Sequence, residues 1–275
     1  MHAGPGFSYK DAMTAGGVMK GYEEWAPPAG LAQAVDAFWR FTGPPRDSRL
    51  GTLSTRILPD GCTDLIFQFH ATSRSTWLTG PRLVVVGPME RFALVDVTPG
   101  AVSFGVRFKP GWALPLLGVS PRELCGLNVP VQDCAPDFTE LQRRLEDCDS
   151  PAHALALLQD TVTLRRGACQ AAPRPRAARA LSQLQASAGQ VRMAELARTL
   201  GVSERTLHRD VLDEAGVPPK LLARVLRFQR AVSLLRSGGH EDLASVALAC
   251  GYSDQAHLSR EVRELAGVTP TALAG

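Results

Sequence analysis

The chain has no apolar run near the roughly 20 residues that a bilayer-spanning helix needs, so a helical membrane anchor is not expected. Its six cysteines, Cys62, Cys125, Cys134, Cys148, Cys169 and Cys250, include no C-x-x-C pair, and its start does not read as a secretion signal. A reducing cytoplasm is the expected compartment. H-E-x-x-H, a nucleophile-elbow serine, a phosphate-cradling glycine loop and a Cys-centred alkyl-acceptor motif are all missing. Neither an enzyme nor a cofactor is expected. Charge of either sign is also nearly absent in net terms, at +3 over 275 residues. Its distribution is uneven: from Pro173 onward 14 basic residues face 10 acidic ones, against 16 and 17 before it. The small positive excess sits in the C-terminal third, where specific contacts must supplement general attraction to phosphates.

What the chain does contain is one pattern written twice, about fifty residues apart, in Met193–Pro219 and Asp242–Pro270. Each copy reads as a short apolar-periodic helix, a glycine turn, a capping residue and a second helix closed by glycine, the grammar of a helix-turn-helix. In the first copy Leu196, Ala197 and Leu200 face inward, Gly201 turns, Ser203 caps a helix from Glu204, and Gly216 stops it. In the second, Leu243, Val246, Ala247 and Cys250 face inward, Gly251 turns, Ser253 or Asp254 caps, and Gly267 with Pro270 ends the unit. The copies are expected to match position by position.

With Leu207 and Val211 buried in the first recognition helix, Arg205, His208 and Arg209 point outward; with Leu258 and Val262 buried in the second, Gln255, Ala256, Ser259 and Arg260 do. These types suit base edges: Arg is bidentate to guanine, Gln to adenine, and Ala meets the thymine methyl. Helix N-termini at Ser203 and Ser253 are the expected entry points. Pro219 to Ser237 reads as a connecting helix of about 28 Å at 1.5 Å per residue, comparable with the ~34 Å between grooves one turn apart. Lys220, Arg224, Arg227 and Arg230 lie along it as candidate phosphate contacts, about half of them expected on a merely solvated face.

The runs GVSERTLHR, LLARVLRFQRAVSLLRSG and ACGYSDQAHLSREVRELAGVTP resemble the AraC/XylS family of bacterial transcription regulators over about the last hundred residues. The resemblance implies a rigid bipartite domain whose two recognition helices enter successive major grooves, with base contacts at Arg205, His208, Arg209, Gln255, Ser259 and Arg260. Two departures stand out. Val262 replaces a usual aromatic core residue, and TALAG lacks the common aromatic and basic residues after the final proline.

Ahead of this domain, residues 1–20 read as a mobile leader and 21–164 as a sensory or dimerisation domain. Residues 165–176, with Pro-Arg-Pro, read as a linker, and 177–275 as the DNA-binding domain. Leu31–Ala37 suggests a helical turn, and strands are expected at Phe38–Phe41, Leu53–Leu58, Thr63–His70, Leu83–Val86, Phe92–Val97 and Ala101–Phe108, as an antiparallel meander or small barrel. Helices follow near Trp112–Leu117, Pro121–Cys125, Phe138–Asp147 and Ala152–Leu164. ILPDGCTDLIF and GVRFKPGWALPLLGVSPREL resemble sensory domains of one AraC-like subgroup, which implies a cupin-like fold for ligand sensing or dimerisation. The expected class is therefore α+β in two domains, a mainly antiparallel β part with flanking helices before an all-α part holding two helix-turn-helix units.

Pro59-Asp60-Gly61 is expected as a plain turn. Cys62, Asp64, Ile66, Gln68 and His70 share one strand face without a recognised metal-ligand spacing, and no metal is expected. Arg107 and Lys109, at a strand end before Pro110 and Gly111, could meet an anionic or aromatic ligand at a barrel mouth, but are expected in water beside a packed Trp112. The leading reading is a sequence-specific regulator of double-stranded DNA, biased by a small-molecule effector or a partner, with RNA polymerase and a second copy of the chain as candidate partners. The alternatives are an architectural binder indifferent to sequence, a DNA-linked enzyme, and a thiol sensor using Cys62.

Overall fold

The computed structural model describes residues 21–46, 51–72, 78–169, 171–237 and 242–274. The leader expected over 1–20 lies outside them.

The N-terminal part holds, among the described residues, eight strands: β1 (Tyr22–Trp25), β2 (Val35–Thr42), β3 (Leu53–Ile57), β4 (Thr63–Ala71), β5 (Leu78–Val86), β6 (Ala93–Val97), β7 (Ala101–Phe108) and, after the first helix, β8 (Asn128–Pro130). Six of them form one antiparallel sheet in the order β1-β2-β7-β4-β5-β8, and β3 pairs only with β6. The order is not a meander, because β7 returns between β2 and β4. Among the described residues the two sheets share no strand pairing.

The period of two in β4 and β7 divides their side chains between two environments. Leu65, Phe67, Phe104, Val106 and Phe108 enter a core completed by Phe38 and by helical residues Trp112, Leu116, Phe138, Leu145 and Leu158. Residues Asp64, Ile66, Gln68, Ser103 and Arg107 face the other way, into a cavity roofed by β3 and β6.

Helices α1 (Ala113–Leu117), α2 (Val131–Cys134), α3 (Thr139–Glu146) and α4 (Pro151–Ala168) cover the sheet. Strands β1 and β8 were not expected. Strand β1 is only four residues, none of them fully buried, and β8 is three residues ending in proline. Pro121–Cys125, expected helical, is a run of turns; the helical turn near Leu31 ends at Ala34, after which β2 begins.

The second part holds α5 (Pro175–Ala186), α6 (Met193–Thr199), α7 (Glu204–Ala215), α8 (Pro219–Ser237), α9 (Leu243–Ala249), α10 (Gln255–Ala266) and α11 (Pro270–Ala274). Residues 165–168 and 175–176, expected in the connector, are helical, and Arg174 is pinned to α7 through Glu214 and Asp213. Helix α8 spans the two helix-turn-helix cores. Its Leu222 and Ala223 belong to the first, and its Val225, Phe228, Ala231 and Val232 to the second.

The two parts are packed together. Leu58 is fully buried within the second helix-turn-helix core. Gln229 of α8 donates from Nε2 to the Pro59 carbonyl, and Arg56 donates from Nη1 to the Ala266 carbonyl at 2.7 Å while lying over the Phe92 ring.

Candidate nucleic-acid interface

Ser203 caps α7, accepting a hydrogen bond from the Thr206 amide at 3.1 Å. In α10 the cap is Asp254, which accepts from the His257 amide at 2.7 Å, and not Ser253, whose hydroxyl donates to Asp254. The repeat explains this correction. Met193 of α6 corresponds to Leu243 of α9, a shift of 50 residues, whereas Glu204 of α7 corresponds to Gln255 of α10, a shift of 51. The second turn carries one extra residue, so the copies do not match position by position.

Aligned by structure, Leu207, Val211 and Ala215 fall on Leu258, Val262 and Ala266, all buried. Val262, smaller than the aromatic that its family resemblance favours, is fully buried in the second helix-turn-helix core. On the outer faces Arg205, His208, Arg209, Gln255, Ala256 and Arg260 are exposed, and Ser259 is half-buried. The residue following each outer arginine is a buried acid. Asp210 pairs with Arg176 of α5; Glu261 accepts from Arg224 Nε of α8 at 2.9 Å, with Arg227 at 3.6 Å. The hydrogen bond from Arg176 holds the Asp210 carboxyl below the usual carboxylate range. These acids fix the roll of each recognition helix on its neighbour. Sequence reading missed them, though Asp210 and Glu261 stand at the same offset after Arg209 and Arg260.

The pairings also reassign part of α8. Arg224 and Arg227 are tied to Glu261 and Glu264, and Arg227 lies 5.6 Å from the Tyr252 ring centroid. They hold the second unit in place, while Lys220 is exposed.

Both recognition helices end in a left-handed glycine, Gly216 at φ 76° and Gly267 at φ 69°. A Cβ on Gly216 would lie 2.4 Å from the Pro121 carbonyl oxygen and 2.9 Å from the Pro88 ring; one on Gly267 would lie 2.4 Å from the Phe92 ring. The Phe92 amide donates to the Leu265 carbonyl at 2.8 Å. The β5–β6 loop thus touches the C-termini of both recognition helices.

That loop also borders the N-terminal cavity, through Gly87 and Met89. The cavity measures about 440 Å³, within the usual range for small-molecule sites. Arg107, expected in water, is 1 % exposed at its inner end. It faces Asp60 at 3.1 Å, Glu24 at 3.5 Å and Asp64 at 3.6 Å. Asp60 also accepts from the Cys62 amide, so the Pro59-Asp60-Gly61 turn carries a cavity group as well as a bend. Trp112 packs in the core, as expected. Burial, together with Asp60, pushes the Cys62 thiol well above its ordinary value, which disfavours the thiolate that a reactive sensor needs. Among the described residues no group of three His, Cys, Asp or Glu side chains is arranged to hold a metal, and no helix is long and apolar enough to cross a membrane.

Residues 196–274 match the helix-turn-helix domain family, and residues 23–130 match a domain of unknown function, DUF6597. No curated protein matches the chain. Among solved structures, an AraC-type transcriptional regulator from Chromobacterium violaceum is 29 % identical over 36 % of this chain and 89 % of its own, with a TM-score of 0.34. The C-terminal domain of AraT, a response regulator from Geobacillus stearothermophilus, is 26 % identical over 37 % and 85 %, TM-score 0.35. ToxT from Vibrio cholerae, bound to (E)-4-(8-methylnaphthalen-1-yl)but-3-enoic acid, is 12 % identical over 93 % and 98 %, TM-score 0.45.

Proposed function

The C-terminal third of the chain belongs to the AraC-type helix-turn-helix family and makes the protein a DNA-binding transcription regulator, and from this premise we propose how it reads DNA and how it is controlled. Helices α7 and α10 enter successive major grooves on one face of the duplex. Arg205, His208 and Arg209 read the first groove; Gln255, Ala256, Ser259 and Arg260 read the second. The observation that carries this reading is the doubled outer face, with an exposed arginine at the same offset in each helix and a buried acid fixing each helix behind it.

Control comes from the N-terminal cavity, where a small-molecule effector binds. An effector acts only through its different affinity for DNA-competent and incompetent arrangements. Two segments are placed to express that difference. Ile57 and Asp60 line the cavity, while between them Leu58 is buried in the second helix-turn-helix core and the Pro59 carbonyl accepts from α8. Gly87 and Met89 line the cavity, while Pro88 and Phe92 cover the ends of α7 and α10. No chemical step is assigned to the chain, and a second copy and RNA polymerase are its proposed protein partners.

Selection of bound duplexes from a random pool tests the reading. Two enriched blocks about 10 base pairs apart, with the second block lost in Arg260→Ala, are expected. Enrichment of no sequence would instead make the protein an architectural binder.

A further inference from the structure

The inner end of the cavity holds more carboxylates than its one guanidinium can neutralise. Arg107 is surrounded by Glu24, Asp60 and Asp64 within 3.6 Å, all nearly buried, and Asp36 is close enough to press on the same group. Lys109, the next cation along the strand, donates to the Ala32 carbonyl and offsets the charge of Asp36 alone, leaving the carboxylates in excess. Excess buried charge of this kind must be met by a proton or by a counter-cation.

Asp64 is where the excess opens onto the cavity. It is 9 % exposed and lines the cavity, and its Oδ1 accepts from Trp39 Nε1 at 2.8 Å and faces Arg107 at 3.6 Å. Around this group the cavity wall is apolar and aromatic: Tyr22, Trp39, Phe41, Ile57 and Ile66. The Tyr22 and Trp39 rings lie 5.9 Å apart at 30°. A bare metal ion would leave most of the 440 Å³ empty. At this end of the cavity a carboxylate ligand would meet an arginine already engaged by three acids, while Arg82 and His70 line the cavity farther along β4 and β5.

From this geometry we infer that the cavity takes a small organic cation, an ammonium or amidinium head on a flat apolar body, with the head at Asp64 and Asp60 and the body against Trp39 and Tyr22. Burial already pushes the Asp64 carboxyl up to about 7, the proton standing where the cation would. A cation over aromatic faces and beside buried carboxylates is held by both the ring quadrupole and charge-assisted hydrogen bonds.

This inference rests on reading the N-terminal domain as an effector domain, and its test is independent of DNA. The full chain is titrated calorimetrically with benzamidinium and 2-phenylethylammonium, and with benzoate and 3-phenylpropanoate as size-matched anions. At least one cation is expected to bind saturably at one site per chain, at least tenfold more weakly to Asp64→Asn, and neither anion is expected to bind. Gln68→Phe, which narrows the cavity without touching the carboxylates, is expected to weaken the cation likewise and serves if Asp64→Asn does not fold. Binding of an anion in preference, binding of no probe, or cation binding unchanged in both variants would overturn the inference. Two-groove DNA protection persisting while the cations fail would leave the regulator reading intact; cation binding with no such protection would uphold the ligand class and remove the DNA geometry.

Discussion

Pro88 and Phe92, four positions apart in one loop, cover equivalent glycines at the ends of the two recognition helices, Gly216 and Gly267. One short segment of the N-terminal domain therefore spans the elements whose relative placement decides DNA reading. Release of one end should separate stability from control. Phe92→Ala removes the ring over Gly267 and Arg56 and is expected to cost about 1 to 2 kcal/mol in urea unfolding. It is further expected to abolish any effect of a cavity ligand on DNA affinity, read by fluorescence anisotropy, while leaving ligand binding within twofold. Ligand-dependent affinity that survives unchanged would show that the signal passes elsewhere.

The acid behind each recognition helix makes a second prediction. Arg176→Ala leaves the buried Asp210 carboxylate with only the more distant Arg209, 3.9 Å away, and is expected to lower stability at pH 7. Arg176 is itself half-exposed, which limits the effect. Because Asp210 has a depressed folded pKa, the stabilisation is present above its unfolded value near 4 and is lost as pH falls through the folded value. The gap between wild type and Arg176→Ala in unfolding midpoint should therefore close in acid. A gap that widens on acidification would contradict the pairing.

Asp64 titrates in the opposite sense. Burial raises it to about 7; Arg107 on β7 opposes this, Asp60 and Asp36 add to it, and the Trp39 indole N–H lowers it, with Glu24 and Cys62 also facing the cluster. Between about 4 and 7 the folded chain holds a proton that the unfolded chain has lost, so stability falls as pH rises through that window. Asp64→Asn should flatten this part of the melting-temperature profile. Benzamidinium should bind several-fold more tightly at pH 8 than at pH 6, because the ionised carboxylate is its partner. A profile identical in wild type and Asp64→Asn would place the titrating group elsewhere.

The sequence made the helical part legible because its signals are local. The start of α7 at Glu204 and the span of α8 from Pro219 to Ser237 follow from caps, prolines and apolar spacing, and the structure has both. The choice between Ser253 and Asp254 stayed open because two capping residues stand side by side, and only the extra turn residue decides between them. In the N-terminal part the long strands β4 and β7 were legible from alternation, but their order in the sheet was not, since pairing is set by distant partners. Arg107 was misplaced for the same reason. Nothing near it in sequence reveals that Glu24, Asp60 and Asp64 converge on it from β1, a turn and β4.

The most direct measurement is a footprint of the full-length protein on the DNA upstream of its own coding sequence, at two salt concentrations, beside the double variant Arg209→Ala and Arg260→Ala. The account predicts protection of two major grooves one turn apart, with each arginine contributing about 1 to 3 kcal/mol and protection lost in the double variant. Continuous, salt-sensitive coverage that the substitutions leave unchanged would contradict it.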